Sequence, residues 1–209
     1  MALGLTGAAG LVAVARAQRL KDLPLAAVPF LFAGQQGIEG ALWLSLPVAP
    51  EGAASSIFTY LFLILAKSIW PAYAPLAVFM VEPNQGRRRL LAVCAAAGAV
   101  AALYFLGSIF SSPHSAIIES GHIVYSAEPN LPMVISLLYL LATVVAPLLS
   151  SQRMVLLFGA IVFVGSIVTY LFYWEAYTSV WCFFAAAGSV VILAHFEGAW
   201  RAHQSAARA

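Results

Sequence analysis

The chain has 209 residues, 63% of them hydrophobic and 9% charged, with a mean hydropathy of +0.93. A soluble domain of that composition would lack the polar surface to stay dissolved, and a net charge of only +2 leaves no basic surface for nucleic acid. The expected class is therefore all-α: a polytopic membrane protein in which residues 1–209 form a single seven-transmembrane-helix bundle.

A bilayer core about 30 Å thick takes roughly 20 apolar residues per helix. Runs of that kind, bounded by charged or turn residues, fall at Ala2 to Ala15, Leu23 to Val48, Ser56 to Val81, Leu90 to Phe110, Leu131 to Leu149, Met154 to Tyr173 and Ala176 to Phe196. The first is short, but it is not built like a secretory signal. Such a signal carries its basic residues before the apolar stretch, whereas Arg16, Arg19 and Lys21 follow it here. It reads as a retained, tilted first span.

Basic residues mark the cytoplasmic ends of spans, because translocating them is disfavoured. Arg16, Arg19 and Lys21 follow span one, Arg87, Arg88 and Arg89 follow span three, Arg153 follows span five, and Arg201 and Arg208 follow span seven. These places share one side of the membrane if the N-terminus is outside. The other side carries Glu51, Glu119, Glu128 and Glu175 with no Lys or Arg, so the expected orientation is N-out, C-in. The one long connection, Ser111 to Asn130, lies on that outer side and reads as a short amphipathic or re-entrant piece around Gly121 that caps the bundle.

Ionisable groups at membrane depth cost several kcal/mol unless paired or hydrated. Glu39 lies about nine residues below the outer end of span two and Lys67 about twelve below that of span three, so at 1.5 Å per residue their depths differ by roughly 5 Å. An ion pair between these antiparallel neighbours is the simplest way to neutralise both; it would serve a purely structural docking role equally well. Around Glu39, the side chains of Gln36, Glu39 and Trp43 share a helix face and Gln35 lies beside them. Gly37, Gly40 and Ala41 are small residues suited to close helix packing, but two glutamines beside a glutamate exceed what packing requires.

Span three continues through Lys67, Trp70, Pro71 and Pro75, where the prolines remove backbone donors, bend the helix and free carbonyls. The corner from Tyr170 to Phe183 is rich in aromatic residues. Tyr173 and Trp174 fit an interfacial belt, whereas Trp181 and Cys182 lie about two turns deeper and Glu175 sits at the outer rim.

Several chemistries are set aside. A retinal pigment would hold its chromophore through a lysine in the last span, and span seven has none. The histidines, His114 and His122 in the outer connection, His195 at the inner end of span seven and His203 in the tail, assemble no zinc or haem ligand set across the membrane. A clip of His114 and His122 would have only Glu119 as third ligand, so no metal and no cofactor is expected. Cys94 and Cys182 lie in apolar runs and imply no disulfide framework.

The strings QQGIEGALW (35–43), IWPAYAPLAVFMVEP (69–83), GHIVYS (121–126), LLATVVAPLLSS (140–151) and YLFYWEAYTSVWCFFAAAGSVVIL (170–193) resemble a bacterial family of small seven-span proteins classed only as a domain of unknown function. Members of that family often open with a Cys-Phe-Ser segment; this chain opens Met-Ala-Leu-Gly. The resemblance implies the fold and a bacterial cytoplasmic (inner) membrane, and no activity.

Taken together, the residues point to a protein that binds a small molecule or lipid and has a sensory role. Its outward-facing pocket would be built from Gln35, Gln36, Glu39, Trp43, Lys67, Trp70, Glu175 and Trp181, with His122 in the lid. Its partners would be the bilayer, a small-molecule or lipid ligand and a membrane protein, and not nucleic acid. The alternative is an accessory or structural subunit of a larger membrane complex, its polar residues locking helices together. An intramembrane enzyme ranks third, because no nucleophile–base pair is recognisable.

Overall fold

The computed structural model describes residues 2–17, 19–126 and 131–208, with only the backbone of residues 2, 3, 199 and 201–208. Expectations that involve Glu128, residues 127–130 of the outer connection or the side chains of Arg201, His203 and Arg208 lie outside the described residues.

The chain forms helices α1 (Ala2–Arg16), α2 (Leu23–Ser45), α3 (Ala53–Val81), α4 (Gln85–Ser111), α5 (Met133–Leu148), α6 (Arg153–Phe172) and α7 (Tyr177–Ser189, continuing beyond Val190 as Val191–Arg208). Among the described residues, four segments are long and apolar enough to cross a membrane: α3, α4, α6 and Tyr177–Gly198 of α7. α1 and α5 are shorter apolar helices. α2 has 23 residues, but Gln35, Gln36 and Glu39 dilute its hydropathy. All-α therefore describes the framework, and the expected runs coincide with the helices to within a few residues at most ends. α4 begins at Gln85 rather than Leu90 because Asn84 caps it, its Oδ1 accepting from the Arg87 N–H at 3.0 Å.

Small residues set the helix spacing. α1 lies along α2, where a β-carbon at Gly10 would come within 2.5 Å of the Phe30 nitrogen. α4 lies along the second half of α3, where a β-carbon at Gly98 would collide with the Pro71 carbonyl oxygen. With no side chain at these points, the backbones approach directly.

Two helices widen into π turns, α3 over Ile64–Ile69 and α5 over Leu141–Val145, each just ahead of a proline. In α3 the Trp70 N–H bonds to the Leu65 carbonyl, five residues back. The next such bond would run from residue 71 to Ala66, but Pro71 has no N–H. Ala66 O instead accepts the Tyr139 hydroxyl of α5 at 2.7 Å, so the carbonyl freed in one distorted helix is satisfied by the other. Ser68 likewise donates to the Ala102 carbonyl of α4 at 2.9 Å.

The outer connection is not the amphipathic or re-entrant piece expected. It forms an antiparallel hairpin, β1 (Ala116–Glu119) and β2 (His122–Tyr125), in register Ala116 opposite Tyr125 and Glu119 opposite His122. The reason is local: β-branched residues flank Ser120-Gly121, whose φ values of 49° and 78° are both positive, as a type I′ turn requires. Ile123 and Tyr125 of β2 and Ala116 of β1 are buried. They form a small second core with Leu42, Phe62, Leu63, Ile109 and Cys182. The larger core fills the middle and the opposite end of the bundle.

At that opposite end, the turns after α3 and α5 are tied together. Glu82 is almost wholly buried and accepts from Ser151 N at 2.7 Å, Ser151 Oγ at 2.6 Å, Ser150 Oγ at 3.2 Å and Asn84 N at 3.0 Å. Burial by itself opposes ionisation of this carboxyl, but the four donors together outweigh it and hold it below the usual carboxylate value. The Arg87 guanidinium adds bonds to the Leu149 and Ser150 carbonyls at 3.0 and 2.8 Å. Arg16, closing α1, pairs with Glu197 at 3.4 Å and lies 3.4 Å over the Trp200 ring of α7.

Candidate functional site

A cavity runs through the bundle between α2, α3, α5, α6 and α7. Leu25, Val28 and Phe32 come from α2, and Trp70, Ala74 and Val78 from α3. Tyr139, Thr143 and Pro147 come from α5, Phe158 and Val162 from α6, and Trp181, Cys182 and Ala185 from α7. The wall is almost entirely apolar and aromatic. The cavity volume is about 40 Å³, room for a few groups of water size at ~10–15 Å³ each. Both π-distorted helices contribute, each just after or within its widened turn, and such turns commonly open a helix face to accommodate a site.

The aromatic wall is held rigid. Phe32 stacks on Trp70 with ring centroids 3.9 Å apart. Trp181 lies 5.7 Å from Tyr139 and 5.4 Å from Tyr177, centroid to centroid, and its indole N–H donates to the Val162 carbonyl at 3.1 Å. Tyr139 is fixed by its bond to Ala66, and Thr143 turns its hydroxyl back to the Tyr139 carbonyl at 2.8 Å.

Gln35 lies behind the cavity wall, between Trp70 and the polar groups above it. It is fully buried, and its carboxamide oxygen accepts the Trp70 indole N–H. That bond fixes which end of the amide points away. The amide nitrogen faces the Cys182 thiol.

One turn further along α2, Glu39 is 6% exposed. It accepts from Gln36 Nε2 and from the Tyr125 hydroxyl of the hairpin, both at 3.5 Å, and from the Ser179 hydroxyl of α7. At 3.5 Å these bonds are at the long limit. Tyr125 in turn stacks on Phe62, centroids 4.6 Å apart.

The structure thus brings Trp70 and Trp181 to the cavity wall, with Gln35 bonded to Trp70 behind it and Gln36 and Glu39 one step above. The ion pair expected between Glu39 and Lys67 is not among the carboxylate's contacts. Matching depth does not decide which way two side chains point, and Lys67 carries its ammonium to within 5.9 Å of the Phe105 ring centre. Trp43 is 40% exposed on the outer surface of α2, Glu175 is exposed in the α6–α7 turn, and His122 packs on Tyr173 at 5.0 Å. None of these three lines the cavity.

The cavity extends toward the end that carries the basic turns, where Leu25, Val78, Pro147 and Phe158 lie. The opposite half is filled by the hairpin and Phe62. Tyr139, Thr143, Tyr125 and Ser179 were not singled out from the sequence. A tyrosine and a threonine four apart ahead of a proline inside an apolar run was the signal for the first two. Among the described residues no group of three or more His, Cys, Asp or Glu side chains could hold a metal ion.

A model described as a family of unknown function, DUF6629, matches residues 2–208. No curated protein and no solved structure matches the chain.

Proposed function

This chain belongs to DUF6629, and we propose that it is a seven-span protein of a bacterial cytoplasmic membrane, oriented N-out and C-in, that binds a small apolar molecule or lipid within its helix bundle. The observation that carries the reading is the cavity. Helices with π turns and prolines are costly to build, and here two of them, braced by the bond from Tyr139 to Ala66, wall a space that a close-packed core would have closed. Apolar walls with few polar groups are the usual composition of ligand sites.

The orientation is supported by the pairing of the basic turns. The α3–α4 and α5–α6 turns meet through Glu82 and Arg87, and α1 meets α7 through Arg16. A sensory role, acting through a partner membrane protein, is the form of this reading in which ligand occupancy biases the π-distorted helices.

The alternative, an accessory subunit, draws on the Glu82 contacts, which lock turns together with no role for the cavity. Native mass spectrometry of gently extracted protein separates the two. The binding reading expects a retained mass that is lost in Ala185→Phe, which fills the cavity. A folded wild type of bare polypeptide mass, or one whose added mass survives Ala185→Phe, contradicts it.

A further inference from the structure

Every side chain on the cavity wall that could form a hydrogen bond is already committed elsewhere. The Trp70 indole N–H donates to Gln35, the Trp181 indole N–H to the Val162 carbonyl and the Tyr139 hydroxyl to the Ala66 carbonyl. The Thr143 hydroxyl is turned back to the Tyr139 carbonyl, and the Cys182 thiol faces the Gln35 amide. Water in this space would find no open partner, so the cavity favours an apolar occupant over water. Such an occupant brings no polar atom with it, because one placed here would stay unsatisfied.

Size narrows the class further. At about 40 Å³ the cavity is far below the ~150 Å³ of one that takes up benzene, and it admits about three groups of methylene size if each needs the ~10–15 Å³ of a water. Nor is it sealed: of its wall residues, Ala74 of α3 and Tyr139 of α5 remain half-buried while the others are buried. In a bilayer the surrounding lipid is as apolar as this wall, so the hydrophobic effect gives no preference for the cavity and abundance decides what fills it. The most abundant apolar group around a membrane helix is the lipid chain, whose free end carries no polar atom. Phe32 and Trp70 lie near the middle of α2 and α3, the depth at which chain ends collect.

From this we infer that the occupant is the end of a hydrocarbon chain of a bilayer lipid, a few terminal carbons seated among Phe32, Trp70, Tyr139 and Trp181 while the rest of the lipid stays outside the bundle. The inference rests on the binding reading above and names the chemical class of its ligand.

The test uses tryptophan fluorescence of the full chain in nanodiscs of phosphatidylcholine carrying bromine either at the chain end or at mid-chain, against unbrominated lipid. Bromine quenches an indole on contact. Trp70 and Trp181 are buried and give the blue-shifted part of the emission, whereas Trp43, Trp174 and Trp200 lie close to or beyond the ends of the apolar helices. Chain-end bromine is expected to remove the blue-shifted part and mid-chain bromine to spare it. In Ala185→Phe, which fills the cavity, chain-end bromine no longer does so; the contrast between the two lipids stands even if that variant does not fold.

Equal loss with both lipids, or loss with neither, overturns the chain end. Bromoethane added to unbrominated nanodiscs then shows what has failed. Loss of the blue-shifted part with bromoethane leaves a binding cavity without a lipid chain, whereas no loss with any probe overturns the cavity reading itself.

Discussion

Single polar groups explain most of what is unusual about this bundle. The Ala66 carbonyl loses its helical donor because residue 71 is a proline, and in a low-dielectric interior it needs another; Tyr139 supplies it at 2.7 Å. The proline was legible in the sequence as a source of free carbonyls. The partner was not, because it sits some 70 residues away in a run that reads only as apolar. Gln35 and Trp70 were legible as candidates and do meet. Glu39 was legible as buried beside Gln36, but its partners from elsewhere in the chain were not: Tyr125 arrives from a hairpin that the apolar pattern did not specify.

Glu82 makes a prediction at the same scale. Its carboxyl is held below the usual value by four donors, so its contribution to stability is full above the unfolded value of about 4.3 and is lost as pH falls through the lower folded value. Glu82→Gln keeps the shape and removes the charge, and should cost about 1–2 kcal/mol at pH 7. The gap to the wild type should close as pH falls below the unfolded value of about 4.3 and through the lower folded one. Thermal unfolding in detergent across that range is the check, and a gap that does not change with pH would show that ionised Glu82 is not what holds the two turns.

At the level of elements, helix spacing is set by small residues. Gly98 is the tightest contact, since the atom it meets is the Pro71 backbone oxygen and cannot swing aside as a side chain would. Gly98→Ala should destabilise by about 1–3 kcal/mol. Gly107→Ala in the same helix, with nothing near its β-carbon, should cost nothing. Equal effects of the two on melting temperature would show that α3 and α4 are not in backbone contact at Gly98.

Helix existence was readable throughout, because apolar length and bounding charges fix it. The π turns were not, since a one-residue widening leaves no mark in hydropathy. The hairpin was partly readable, in that Ser120-Gly121 with β-branched residues two or three positions to either side is a turn signal, but the expectation was an amphipathic or re-entrant piece. The helix that carries most of the candidate site, α2, is also the long helix whose polar residues weaken its membrane signal.

For the whole molecule, the proposed N-out, C-in topology draws on the segregation of charge and the pairing of basic turns. Single cysteines introduced at Glu51 and Gln85, in a background without Cys94 and Cys182, should be modified by a reagent confined to the periplasm at the first position and not at the second. The reverse pattern would invert the bundle. The cavity lies elsewhere than the polar residues suggest, for a reason that belongs to this scale. Those residues cluster toward the half that carries the hairpin, where a hydrated pocket is the expectation from sequence. Instead the hairpin packs into that half, Tyr125 and Ser179 meet Glu39 directly, and the unfilled volume lies lower, against Phe32, Val78 and Phe158.

The central claim, that this volume exists to be occupied, is tested most directly by an experimental density map of the protein extracted in native lipid. Continuous non-protein density is expected between Trp70, Tyr139 and Trp181. Side chains collapsed into a dry, filled core at that place would contradict it.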